Sequence, residues 1–237
     1  MRNDDEWRRG HRMRLRAKFL DGKITDYELF EMLLGFALPR VDARPVARAL
    51  IKRYGNMHMA VNAPYDELKS FPGLGPISAI FVRALRDFTL SDYKCRLADG
   101  PLFSNQRTLL NYCRTRLVGK KREEFHVLYL DGTRRLMHDE THSVGTADHV
   151  GVYPREILKT AMNLNARFIV LLHNHPDGKG AFSTPDIELT DRIKAKLAED
   201  GIEVLDHLLL AGDAIYSAVE MHYMNQKLDS NAMRQMA

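Results

Sequence analysis

The chain has 237 residues, 45% apolar and 28% charged, with a formal net charge of +4. That length suits one large domain or two small ones with real cores, and the composition is that of an ordinary soluble globular protein. Two lone cysteines, Cys95 and Cys113, exclude a disulfide framework and a cysteine zinc knuckle, and no apolar run reaches the roughly 18 residues of a membrane span.

The first segment is basic: Arg2, Arg8, Arg9, Arg12, Arg14, Arg16 and Lys18 face only Asp4, Asp5 and Glu6. Such a start does not read as a secretory signal, and with reduced cysteines it makes the cytoplasm the expected compartment. Two readings of residues 6–20 stand side by side. One is an amphipathic helix anchored by Trp7, Met13, Leu15 and Phe19 with solvated charges. The other is an arm that contacts nucleic-acid phosphates. Thr25-Asp26 then starts a helix over residues 27–36 that is apolar on most sides, and Pro39 ends it. Residues 42–54 form a further helix with Val46, Ala47, Leu50 and Ile51 inward, stopped by Gly55. Short helices follow at residues 57–61 and 64–70.

Phe71-Pro72-Gly73-Leu74-Gly75-Pro76-Ile77-Ser78-Ala79 resembles a helix-hairpin-helix. Gly73 and Gly75 permit positive φ and close backbone approach, and the next helix offers free N–H groups to a phosphate. Such a hairpin holds a DNA backbone weakly and without reading sequence. The competing reading is a helix connection that uses its glycines for packing.

Ser91-Asp92, Asp99-Gly100 and Pro101 mark a composition shift, which predicts a linker at 91–103. The expected organisation is a helical domain at 1–90, this linker, a second domain at 104–224 and a frayed tail at 225–237. Ser104 is placed to cap a helix reaching Leu117, with Leu109, Leu110 and Cys113 inward, and Gly119-Lys120-Lys121-Arg122 reads as a surface turn. Residues 123–130 and 136–144 read as two strands joined by a tight Asp131-Gly132 hairpin. Pro154 opens a helix whose Ile157, Leu158, Ala161 and Leu164 share a face. Residues 168–172 form a buried strand, 186–199 a helix ended by Gly201, and 202–210 and 215–219 two strands around a Gly212-Asp213 turn. The class is α/β (α+β): a mixed-sheet domain after an all-helical one.

The chemistry lies at the end of the buried strand, in Leu171-Leu172-His173-Asn174-His175-Pro176-Asp177-Gly178, then Ser183-Thr184-Pro185-Asp186. Residues i and i+2 of a strand share a face, so His173 and His175 reach one side. Asp186 follows eleven residues after His175. Two neutral imidazoles and a carboxylate suit a divalent ion, zinc first, with manganese and iron as alternatives, and three protein ligands leave a position open. The competing readings are a His-x-His that binds nothing and a capping box formed by Ser183 and Asp186, with Pro185 in the first turn.

The whole stretch resembles the JAMM signature of JAB/MPN metalloproteins, His-x-His-Pro and then Ser-x-x-Asp. It is more closely similar to the RadC family. Tyr153-Pro154-Arg155-Glu156-Ile157 and Val204-Leu205-Asp206-His207 fit that family too, and the likeness runs from about residue 25 to about residue 220. One departure is Asp177, where the family has a small residue; an extra carboxylate there is a candidate further ligand. The resemblance implies a JAB/MPN fold, a curved mixed sheet flanked by helices with the metal at its edge. It implies His173, His175 and Asp186 as ligands, a glutamate before the first strand as proton acceptor, and Ser183 as support for the oxyanion. For the glutamate we take Glu123, with Glu124 as the alternative and Glu156 and Glu140 behind them. His207 reads as a structural histidine, and His126, His138, His142 and His149 are assigned no metal.

The implied activity is a zinc-dependent hydrolase acting on an amide or isopeptide bond. A second possibility is a DNA-binding or DNA-repair accessory protein, with a phosphodiester as substrate, acting through Gly73 and Gly75; its binding would fall steeply with salt. A third is a scaffold in which the metal only stabilises the fold. The residues name neither an oligomeric state nor a particular substrate.

Overall fold

The computed structural model describes residues 2–144, 151–212 and 214–220. His149, the Asp213 half of the expected turn and the tail from Asn225 lie outside the described residues, as does the side chain of Trp7. The chain divides into two compact units, Met1–Thr89 and Leu90–Ala237.

The first unit is helical: α1 (Arg2–Leu20), α2 (Asp26–Ala37), α3 (Ala43–Tyr54), α4 (Met57–Asn62), α5 (Tyr65–Lys69) and the first part of α6 (Pro76–Asp99). Local signals set the boundaries. Thr25 and Glu28 close a capping box on α2, Asp42 caps α3, and Gly55 ends α3 with φ of 92°. Phe30, Leu34, Val46, Ala47, Leu50, Leu68, Ala79 and Val82 are buried together as its core.

Several cations of the basic first helix serve this packing. Arg12 donates to the backbone oxygens of Pro39, Leu38 and Val41 at 2.7, 3.2 and 2.9 Å, satisfying carbonyls just beyond the end of α2. Lys18 pairs with Glu28 at 2.5 Å, and the Arg16 guanidinium lies over the Phe36 ring. Gly73 has φ of +86°, and a Cβ there would meet Val46 Cγ2 at 2.7 Å, so the turn needs glycine for its own packing. The Gly75 N–H donates to Ser78 Oγ at 2.8 Å.

Residues 91–99, expected in a linker, are helical. Burial of Leu90 and Leu97 and the Asp92–Arg96 pair one turn apart, at 2.8 Å, outweigh the polar composition there. Gly100 and Pro101 end α6. Ser104 does not cap the next helix; it lies in a 3-10 turn at Leu102–Asn105 and donates to the Pro101 carbonyl at 2.6 Å, and α7 is Gln106–Leu117.

The second unit is built on a sheet of β1 (Glu124–Leu130), β2 (Leu136–Val144), β3 (Phe168–His175), β4 (Glu203–Ala211) and β5 (Ala214–Ser217), in the order β2-β1-β3-β4-β5. Among the described residues β3 and β4 pair in parallel, joined by the crossover helix α9 (Thr184–Ala198), and the other pairs are antiparallel. α8 (Pro154–Leu164) and α9 bury one face, where Ile157, Ala161, Ile193 and Leu197 meet Phe125, Val127, Tyr129, Ile169 and Leu171. α7 packs against β3 and β4. Val127 to Leu130 and Ile169 to Leu172 are therefore fully buried, and their unbroken apolar runs reflect a sheet covered on both faces. Asp131-Gly132 does not make the tight two-residue hairpin. Asp131 Oδ1 accepts from the N–H groups of Thr133 and Arg135, which opens the loop to residues 131–135 and places Arg134 at φ of 63°. Among the described residues, no helix is long and apolar enough to cross a membrane.

Candidate metal centre

β3 extends past its apolar run to His175, so strand alternation presents His173 and His175 on one face and Asn174 on the other. Asp186 enters from the first turn of α9, and Glu123 from the residue just before β1. One ligand atom from each of Glu123, His173, His175 and Asp186 lies within 4.8 Å of all the others. His173 Nε2 and His175 Nε2 are 3.1 Å apart, His173 Nε2 is 3.6 Å from Asp186 Oδ1, and His175 Nε2 is 3.5 Å from Asp186 Oδ2. A tetrahedron with metal–ligand bonds of about 2.0–2.1 Å has edges of about 3.3 Å. The donor spacing and the mix of imidazole and carboxylate therefore fit a zinc-sized ion.

The proton on His175 is fixed by geometry. Its Nδ1 lies 2.9 Å from the Lys179 carbonyl oxygen, which can only accept, so Nδ1 carries a hydrogen, and in the neutral ring Nε2 is bare. The loop that supplies this carbonyl is packed from both sides. Gly180 lies so close to the Tyr216 ring that a Cβ would meet it at 2.3 Å, and Phe182 stacks obliquely on His173.

Asp186 is both a donor to the site and the helix cap's partner. Its Oδ2 accepts from Ser183 N–H at 2.7 Å and from Ser183 Oγ at 2.6 Å. Burial pushes the Asp186 carboxyl up, the Ser183 N–H and hydroxyl pull it down, and the net shift is below the ordinary range. Glu123 moves the other way. Burial raises it, and the Asp186 charge adds to the rise.

Asn174, on the opposite face, braces Glu123 through the backbone. Its Oδ1 accepts the Glu124 N–H at 2.9 Å and its Nδ2 donates to the Arg122 carbonyl at 3.1 Å, so the peptide groups flanking Glu123 are both held. Glu124 points elsewhere, to His126 Nε2 at 3.0 Å and Lys120 Nζ at 2.7 Å. Burial would raise the Glu124 carboxyl, yet these partners bring it down to about 2. A carboxyl lowered on folding adds stability that is present above its ordinary value of 4.5 and is lost as pH falls toward 2. Glu124→Gln is thus expected to lower the urea midpoint at neutral pH and to flatten its fall through that acid window; parallel curves for variant and wild type would refute this.

The other candidates lie outside the cluster. Asp177 is exposed and engaged by the Lys179 N–H and ammonium, at 3.1 and 3.0 Å. Glu140 meets Tyr129 and His142, and Glu156 meets Arg155. Gly73 and Gly75 belong to the helical unit. His207 is 1% exposed, and its Nε2 is 2.8 Å from His173 Nδ1. Sequence reading passed over Asn174, Thr190 and Phe182. Strand alternation already set Asn174 apart from His173 and His175, and Thr190 stands one helical turn after Asp186, but neither spacing names a partner.

A family model described as a RadC-like JAB domain matches residues 103–223. UPF0758 protein SPO0054 of Ruegeria pomeroyi is 37% identical over 205 residues, covering 85% of this chain and 92% of that protein. UPF0758 protein FN0909 of Fusobacterium nucleatum is 35% identical over 221 residues, covering 89% of this chain and 95% of that protein.

Proposed function

Because the chain belongs to the RadC-like JAB domain family, we propose that it is a zinc-dependent hydrolase of the JAMM type, cleaving an amide or isopeptide bond. The observation that carries this reading is the convergence of Glu123, His173, His175 and Asp186 from three separate elements. His173, His175 and Asp186 would hold the ion. When bound, a divalent ion there supplies Lewis acidity toward a carbonyl oxygen and lowers the pKa of water. Glu123, half-buried and with its backbone braced by Asn174, takes the proton of the attacking water on its carboxylate and passes it to the leaving nitrogen. The Ser183 N–H keeps Asp186 oriented, so that the Ser183 hydroxyl, seated on Asp186 at 2.6 Å, can turn to a substrate and support the charge that develops on its carbonyl oxygen. The hydrolase reading is preferred over a nucleic-acid one because Val46 and Ser78 account for Gly73 and Gly75 through packing and a cap.

Elemental analysis of the native protein and of a His173→Ala, His175→Ala variant folded to the same extent tests the site. About one metal ion per chain, absent from the variant, is the expected result, and it directs a hydrolysis screen toward peptides and isopeptides. Native protein that takes up neither zinc, manganese nor iron would overturn the proposal.

A further inference from the structure

We infer that His207 and Thr190 are positioning residues that hold the proton of His173 on Nδ1 and so leave its Nε2 as a lone-pair donor to a divalent ion. The inference rests on the metal-site reading and extends it to two side chains that touch no ion. It follows from the number of hydrogens each group has to give.

Thr190 Oγ1 lies 2.6 Å from the Asp186 carbonyl oxygen. That oxygen only accepts, so the single hydroxyl hydrogen of Thr190 points at it. The same Oγ1 lies 2.7 Å from His207 Nδ1, and with its hydrogen already placed it accepts there. His207 therefore carries its proton on Nδ1. The ring is buried beside Phe125 and Phe182, at centroid distances of 5.5 and 5.1 Å, and among the described residues its own hydrogen bonds reach Thr190 and His173 but no carboxylate. A neutral imidazole has one N–H, so His207 Nε2 is an acceptor, and the hydrogen in the 2.8 Å contact comes from His173 Nδ1.

The neutral His173 ring is then left with a bare Nε2, as Lys179 leaves the neutral His175 ring. Two ring lone pairs then face each other at 3.1 Å with no hydrogen between them, beside a carboxylate. That arrangement is repulsive alone and becomes favourable around a cation. The chain of contacts starts at the backbone of Asp186 and ends at His173, so it also ties one ligand residue to another across α9, β4 and β3. An outer partner of this kind sets both the tautomer and the ring orientation of a ligating histidine.

The test uses the full chain and zinc alone, with affinity read by competition against a chromophoric chelator and imidazole tautomers read by nitrogen NMR. In metal-free wild type, His173 is expected protonated on Nδ1. Thr190→Val, which removes the hydroxyl and keeps the shape, is expected to weaken zinc by roughly 10–100-fold and to mix the His173 tautomers, and Thr190→Ser is expected to restore both. A wild-type His173 protonated on Nε2 overturns the inference, and this reading needs no variant to fold. Unchanged zinc affinity in Thr190→Val, with normal uptake by wild type, overturns the inference alone. Wild type that takes up no zinc overturns the proposed function, and the inference falls with it.

Discussion

Replacing Glu123 by glutamine is expected to lower zinc-dependent hydrolysis by about 10²–10⁴-fold while leaving bound metal close to one ion per chain. The substitution keeps the size of the side chain and removes only its capacity to take a proton. The fold around it should hold, because Asn174 grips the backbone at Arg122 and Glu124 rather than the Glu123 side chain. The neighbouring substitution, Glu124→Gln, provides the contrast. That carboxylate is committed to Lys120 and His126, so its loss should touch stability and leave turnover within a few-fold of wild type. The measurement is the initial rate on whichever peptide or isopeptide the screen yields, beside elemental analysis of each variant. Equal rates for Glu123→Gln and wild type would remove Glu123 from the chemistry even if the metal remained in place.

The contrast between these adjacent glutamates shows where sequence reading stops. Alternation along a strand said that only one of them faces the histidines, and it said that His173 and His175 share a face. Both statements are local, and local rules decide them. The choice between Glu123 and Glu124 depends on Asn174, fifty residues from Glu124, which extends the pairing of β3 with β1 through its side-chain amide. The role of His207 was hidden for the same reason. Its contact with His173 spans 34 residues and depends on the parallel register of β3 and β4. The buried runs of β1 and β3 were legible because a sheet covered on both faces needs apolar residues without alternation. Residues 91–99 misled because Ser91, Asp92 and Asp99 favour turns in general, whereas here Asp92 meets Arg96 along a helix that already buries Leu90 and Leu97. The family likeness reached further into the site than composition did. It implied His173, His175 and Asp186 as ligands, but no side chains to orient them.

The second large effect concerns stability. Zinc at a thousandfold excess over its Kd is expected to stabilise the native protein by about 4 kcal/mol, because an ion that binds only the folded state shifts unfolding by mass action. Asp186→Asn should remove most of that gain. The amide oxygen can still accept from the Ser183 N–H, so the start of α9 stays capped, and the metal-free melting temperature of each protein serves as its own baseline. The charge facing both imidazoles is lost, however, and a 100-fold weaker affinity alone takes away about 2.7 kcal/mol of the zinc-dependent term. Thermal unfolding of each protein with and without zinc measures the difference directly. A zinc-induced rise in Tm as large in the variant as in wild type would exclude Asp186 as a ligand. Combined with Glu123→Gln, the experiment also separates two kinds of metal site. An ion that serves hydrolysis gives a Glu123 variant with full zinc stabilisation and little turnover, whereas an ion that only holds the fold gives the same stabilisation with no turnover in any form of the protein.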